Sequence, residues 1–226
     1  LNTAAILQTM RQGLGEDFDL GQLHGNFSLN HNRGIWHLQK LKLENRNSDQ
    51  LSFLLAGSAK GNLSGLNIDL QVQSEINDQA LLADLTGLAM KPIRNSLHIK
   101  GSEQRLNIVG NVGLGNTHVD TRLSFQLGQQ GLSSLSGSIT SQAIYLEDLG
   151  LSQLLAVKPN EATESENWVQ ATTDPALPFD LLPTYDLDTI VFFRTVYGRD
   201  TAIEDVTARL IHEKGKYRLG DFAVQF

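Results

Sequence analysis

From Asn26 onward the sequence keeps returning to one rhythm, an apolar residue at every second position. It runs through "NFSLNH" (26–31), "WHLQKLKLEN" (36–45), "LNIDLQVQSE" (66–75), "SLHIKG" (96–101), "RLNIVGNV" (105–112) and "VDTRLSFQL" (119–127). It resumes in "DTIVFF" (188–193), "DVTARLIHE" (205–213) and "KYRLGDFAVQF" (216–226). Successive side chains of a strand point to opposite faces, so period two means strands with one dry face and one wet face. Breakers separate the runs: "HNRG", "GNLSG", "GSEQ", "GLGN", "GQQG" and "EKGK". Strands joined by such tight turns pair antiparallel, because a parallel pair needs a long crossover. No strand–helix–strand rhythm recurs, which argues against a doubly wound parallel sheet.

One hairpin is written twice. At a constant offset Leu29 matches Leu210, His31 matches His212, Gly34 matches Gly215 and Trp36 matches Tyr217. Leu38, Leu41 and Leu43 match Leu219, Phe222 and Val224. In each copy the apolar parity switches midway. A strand that stays dry on one face across that switch needs an extra residue, a β-bulge, near Gln39–Lys40 and near Gly220–Asp221. Repeated bulges bend a sheet. The expected fold class is therefore mainly β: a long antiparallel, bulged and curved sheet forming an open trough or half-barrel, with a few short helices.

The remaining segments complete the organisation. Residues 1–16 read as a short N-terminal helix, with Ile6, Leu7, Met10 and Leu14 at helical spacing and Gly15 as its stop. Residues 17–157 hold the β-repeats. Within them "LLADLTGLAM" (81–90) and "YLEDLGLSQLLAV" (145–157) read as short helical or turn-like pieces that plug an end of the sheet. Residues 158–178, polar, acidic and holding Trp168 and three of the five prolines, read as an exposed loop. Residues 179–226 return to strands that continue the same sheet.

Composition narrows the function. The net charge is −7 and no basic stripe is visible, which argues against a nucleic-acid partner. Without cysteine there is no disulfide, zinc thiolate or cysteine nucleophile. No run approaches the ~18 apolar residues of a membrane-spanning helix, and no signal peptide is seen. The apolar end at Phe226 reads as a strand cut from a longer chain. The six histidines are scattered without metal-ligand spacing, and His31 and His212 read as surface residues beside turns. Asp186 and Asp188 alternate with Leu187 and Thr189, so they read as wet-face residues. "GNVGLGN" (110–116) runs into another strand and reads as a hairpin turn, not a dinucleotide loop. No catalytic constellation or cofactor is expected, and the chain reads as non-enzymatic.

The order of motifs resembles one family. "SLSGSITSQAIYLEDLGLSQLL" (134–155), a polar loop, then "PFDLLPTYDLDTIVFFRTVYGRDTAIEDVTARLIHEKGKYRLGDFAVQF" (178–226) is similar to the C-terminal part of AsmA-like proteins. Leu146–Leu149, Pro178–Leu181, Leu187–Asp188, Asp205–Val206 and Leu210 through Phe222 fill that family's slots. The departure is Ile190 and Phe192, where the family often has Arg or Asp. The resemblance implies a bacterial envelope protein related to TamB, held in the inner membrane by an anchor outside this chain, with its bulk in the periplasm. It implies phospholipid, or another acyl-chain lipid, as cargo on the way to the outer membrane, with envelope proteins as further partners. The candidate lining of such a groove is the apolar parity: Ile68, Leu70, Val72, Leu106, Ile108, Leu123, Phe125, Leu127, Leu187, Val191, Phe193, Leu210 and Leu219. The same parity also suits the filled core of a closed β-sandwich that scaffolds envelope partners, and periodicity does not separate the two.

Overall fold

The structure, a computed structural model, describes residues 21–46, 48–62, 65–86, 88–128, 131–151, 185–199, 201–213 and 215–225. The expected N-terminal helix, the acidic loop with Trp168, and Phe226 lie outside the described residues.

Twelve strands form one sheet. In chain order they are β1 (Gln22–Asn32), β2 (Ile35–Arg46), β3 (Leu51–Asn62), β4 (Gly65–Ile76), β5 (Ile93–Ser102) and β6 (Arg105–Leu114). Then come β7 (Thr117–Gly128), β8 (Gly131–Ser141), β9 (Ile144–Tyr145), β10 (Asp186–Tyr197), β11 (Ala202–Glu213) and β12 (Lys216–Gln225). Each strand lies beside its predecessor, except that β10 pairs with β8 and the short β9 pairs with β10 beyond the end of β8. The sheet does not close: β1 and β12 are its two edges. The described strands thus make one open layer, not the two facing sheets of a sandwich. Strands of 10–12 residues give a width of roughly 33–40 Å, and their stacking gives a length of roughly 50 Å.

The sheet is not antiparallel throughout. β10 runs parallel to β8, with Leu187 opposite Leu135 and Val191 opposite Ile139. Both strands run toward the same rim, so the chain must return to the opposite rim between them. That return takes a dozen residues or more, and residues 146–185 supply the length.

Two devices bend the strands. Lys40 (φ 53°) and Asp221 (φ 49°) hold left-handed backbone at the equivalent points of the duplicated hairpin. The β2–β3 register shifts between Leu38 and Leu41, so Trp36, Leu38, Leu41 and Leu43 all reach the same face. Asp205 (φ 49°) adds a kink in β11 that the apolar pattern does not announce. The second device is glycine. Gly57, Gly101 and Gly137 sit inside strands at φ 147–152°. A Cβ there would lie 2.0–2.1 Å from the carbonyl oxygens of Asp69, Arg105 and Arg122. Bulges and in-strand glycines are the means by which sheets curve.

The rims differ. One carries helix α1 (Gln79–Thr86) and the connection after β9. Among the described residues Leu51, Leu82, Leu114 and Ile144 are the buried hydrophobic side chains, and all four sit at this rim. The second expected plug piece meets the chain just past the first here: the Lys91 amide donates to the Asp148 carbonyl at 3.0 Å. The opposite rim has tight turns, including Arg33–Gly34 with φ 48° and 78°, the two-residue pattern that matches strand twist.

If the glycine kinks set the curvature, Gly137→Ala is strongly destabilising, by about 2–3 kcal/mol. Gly34→Ala, whose Cβ meets nothing within 4 Å, costs only about 1 kcal/mol of backbone strain. Urea unfolding of the two variants checks the contrast, and equal losses would contradict it.

Candidate functional site

Cross-strand partners in register share a face, so the pairings trace rows across the sheet. One row runs Leu41, Gly57, Leu70, Ile99, Ile108, Leu123, Gly137, Thr189, Leu210, Leu219. The next runs Leu38, Ala59, Ile68, Gly101, Leu106, Phe125, Leu135, Leu187 and His212. Val72 and Val191 lie in the row on the other side, with Leu55, Leu97, Gly110 and Ile139. Phe193 and Leu127 sit on the same face one step further out in each direction. All thirteen candidate residues therefore share one face.

The sequence reading omitted part of that face. Leu97, Ile99, Leu135, Ile139, Leu41 and Leu43 belong to it by register. The parity that selected the thirteen also selects Leu97 and Ile99. For Leu41 and Leu43 the signal was the bulge.

Exposure follows the rows. In β5, β6 and β7 the apolar positions are half-buried or buried and most of the alternate positions exposed. Eleven of the thirteen candidates are half-buried, whereas Leu210 and Leu219, near the β12 edge, are exposed. At the β1 edge Phe27, Leu29 and Trp36 are exposed as well. No second layer of described residues covers the centre, yet it is more sheltered than the edges.

Polar groups on this face gather toward the α1 rim and are mostly bonded. Asn45 accepts from the Phe53 amide (2.6 Å) and donates to the Leu51 carbonyl (2.5 Å), and Asn95 donates to Ser74 Oγ (2.6 Å). Asp148, 1% exposed, closes the rim. Its Oδ2 accepts from the amides of Asn116 (2.8 Å) and Thr117 (3.0 Å) and from Thr117 Oγ1 (3.2 Å). Gly115 leaves room for it, since a Cβ there would sit 2.4 Å from Asp148 Oδ1. Asp148→Ala strands the buried Thr117 amide and the part-buried Asn116 amide, so a loss of about 2–4 kcal/mol in chemical unfolding is expected. A loss below about 1 kcal/mol would mean that the rim is not held through this carboxyl group.

The reverse face is polar and laced with ion pairs. Lys42 (2.6 Å) and Arg46 flank Glu44, Arg94 meets Glu75 at 2.8 Å, and Arg209 binds Asp188 through two bonds of 2.8 Å. Asp69 meets His98 Nε2 (2.6 Å) and Lys100 (3.3 Å). The hydrogen bonds from Lys42 and then Arg46 hold the Glu44 carboxyl down to about 2. Asp69, through His98, and Asp188, through Arg209, shift the same way. A depressed folded pKa gives stability that is present above the unfolded value and lost as pH falls through the folded one. Stability should therefore decline from about pH 4.5 toward pH 2, and Glu44→Gln should flatten that decline in urea titrations. An unchanged slope would exclude Glu44 as a contributor.

Several single residues fall as expected and one does not. Asp188 faces the polar side, where Arg209 binds it, and "GNVGLGN" turns between β6 and β7 at Gly115–Asn116. His31 is exposed, but His212 is buried at 5%. It lies in β11, covered by neighbours on both sides, and its Nδ1 is 2.6 Å from the Tyr185 carbonyl, whereas His31 lies on an edge strand. Ile190, the departure on the outer parity, is 46% exposed, uncovered by any described residue. A hollow of about 510 Å³ lies on the polar face among residues such as Glu44, Gln73, Glu75 and Arg94. Among the described residues no cluster of His, Asp or Glu is placed to hold a metal ion. No described helix is long and apolar enough to cross a membrane. Compared with family models, curated proteins and solved structures, the chain has no significant match in any of the three.

Proposed function

We propose that the apolar face is the lipid-binding surface of a non-enzymatic, AsmA-like periplasmic protein that passes phospholipid toward the outer membrane. In this reading an anchor outside the chain tethers it to the inner membrane, and envelope proteins meet it along the way. One observation carries the reading: a single sheet with an apolar face continuous over all its adjacent strands, uncovered by a second layer of described residues, and with a polar reverse.

The energetics suit such a cargo. Each acyl CH₂ that leaves water for an apolar surface gains roughly 0.8 kcal/mol. A two-chain lipid in water therefore faces a barrier on the order of 20 kcal/mol or more. A face with no wide polar gap along its length lowers that barrier everywhere instead of at one pocket. The row through Leu70, Ile108, Leu123 and Leu210 has Thr189 as its polar member.

Native mass spectrometry with lipid extraction, on protein purified without detergent, tests the proposal. Bound phospholipid at a defined stoichiometry is expected. Leu70→Asp or Phe125→Asp should abolish capture in a chain still folded by circular dichroism, while Val109→Asp on the polar face leaves it intact. A lipid-free, stably folded chain would refute the proposal and favour the scaffold reading. So would capture that survives both apolar-face substitutions.

A further inference from the structure

Among the described residues the buried polar side chains are Thr117, Ser141, Asp148, Thr189 and His212. The first three are bonded at the α1 rim, where Thr117 Oγ1 donates to Asp148 and Ser141 Oγ donates to the Ala143 carbonyl at 2.9 Å. The other two lie on the apolar face. Thr189 stands opposite Leu210, and His212, two residues further along β11, stands opposite Leu187. They are thus diagonal neighbours on one face, roughly 7–8 Å apart. Each holds a hydrogen-bonding group that the chain leaves unused. Thr189 is 4% exposed and its Oγ1 has no partner. His212 Nδ1 lies 2.6 Å from the Tyr185 carbonyl. A carbonyl only accepts, so the neutral ring carries its proton on Nδ1 and keeps a lone pair on Nε2. That nitrogen has no partner, and Tyr217, stacked on the ring at 4.2 Å, holds its plane. We propose that Thr189 and His212 form a polar notch in the apolar face that binds the carboxyl group of a long-chain carboxylic acid.

The inference rests on the reading of this face as an acyl-chain surface and adds the head group that it selects. A buried hydroxyl without a partner costs folding free energy, and valine has the same shape without that cost. Thr189 is therefore a poor choice for the empty face and a good one for a face whose ligand brings an acceptor. His212 Nε2 in turn calls for a donor. A carboxylic acid supplies both on one carbon: its carbonyl accepts from Thr189 Oγ1, and its O–H donates to Nε2. If the proton crosses to Nε2, the carboxylate accepts from both residues, and neither arrangement leaves an orphan. An ester lacks the O–H and leaves Nε2 unmet. The tail has a row to follow. From Thr189 it runs through Gly137, Leu123, Ile108 and Ile99 to Leu70, five strand spacings or about 24 Å. Leu210, directly opposite Thr189, is 41% exposed, so rotation of its side chain opens the way to the hydroxyl.

The test compares dodecanoic acid with methyl dodecanoate by titration calorimetry on the whole chain, below the concentration at which either aggregates. The acid is expected to bind about tenfold more tightly, the worth of one further hydrogen bond. Thr189→Val and His212→Phe, each checked as folded, should weaken the acid about tenfold and remove its preference over the ester. Thr189→Val should also raise the urea midpoint of the ligand-free chain, since it deletes an unpaired hydroxyl. Acid and ester binding equally, or acid binding indifferent to Thr189→Val, would overturn the notch while leaving the acyl-chain surface in place. So would a urea midpoint that falls in Thr189→Val, because the hydroxyl would then be spent within the chain. Binding of neither compound would overturn the surface and the notch together.

Discussion

Strand register is the constraint on which the rest of the structure depends. Side chains alternate with period two, so a slip of one residue sends a whole strand's apolar set to the opposite face. Here the same face must stay apolar from β1 to β12, and a single misregistered strand would break it with a band of Gln, Asp and Lys. The bulges at Lys40 and Asp221 exist within this constraint. Each shifts the parity in the middle of a strand, and the apolar residues shift with it. Sequence and backbone therefore agree that Trp36, Leu38, Leu41 and Leu43 belong on one side, although their spacing does not alternate throughout.

How much of this was legible depended on what each residue had to do locally. The runs in β4 to β7 alternate cleanly, because their inward positions are large and apolar and their outward positions polar. The duplicated hairpin was legible down to its bulges, because two copies show which irregularity is systematic. β3 and β8 were not legible as alternating strands. Their inward positions include Gly57, Ala59 and Gly137, and the two glycines are there to kink the backbone beneath neighbouring carbonyls. A residue chosen for the absence of a side chain cannot mark a hydrophobic face. The parallel step from β8 to β10 was hidden as well. Pairing across a long connection leaves no turn signal, and only spatial order reveals it. The burial of His212 follows from the same kind of context: its sequence equivalent, His31, lies on an edge, whereas His212 has a strand on either side.

The energetics of the layer also differ from those of a globular core. Four buried hydrophobic side chains among the described residues, all at one rim, cannot carry a sheet of this size. Most apolar side chains are half-buried against same-face neighbours, which is the cross-strand packing that gives each pair roughly 0.2–1 kcal/mol. Stability is then spread along the ladder, with a local knot at the α1 rim, where Asp148 and Leu82 close one lip. Among the described residues the opposite lip has tight turns in place of such a knot. The sheet is asymmetric in a second sense too, with one face that water solvates well and one that it does not.

That asymmetry links stability to occupancy. A half-buried apolar face gains free energy whenever something apolar covers it, and any ligand that binds the folded state alone stabilises it by mass action. Cover on the face and cover on an edge act differently. An acyl chain on the rows through Leu70 and Ile108 would need no backbone partner, so it would bind without direction and could move along the row. The edge of β12, by contrast, offers backbone groups whose direction and spacing are set by the strand and by the kink at Asp221. One sheet thus presents apolar area across its width and directional backbone groups at its margin. The difference follows from which groups each leaves unsatisfied, apolar area in the first case and backbone amides and carbonyls in the second.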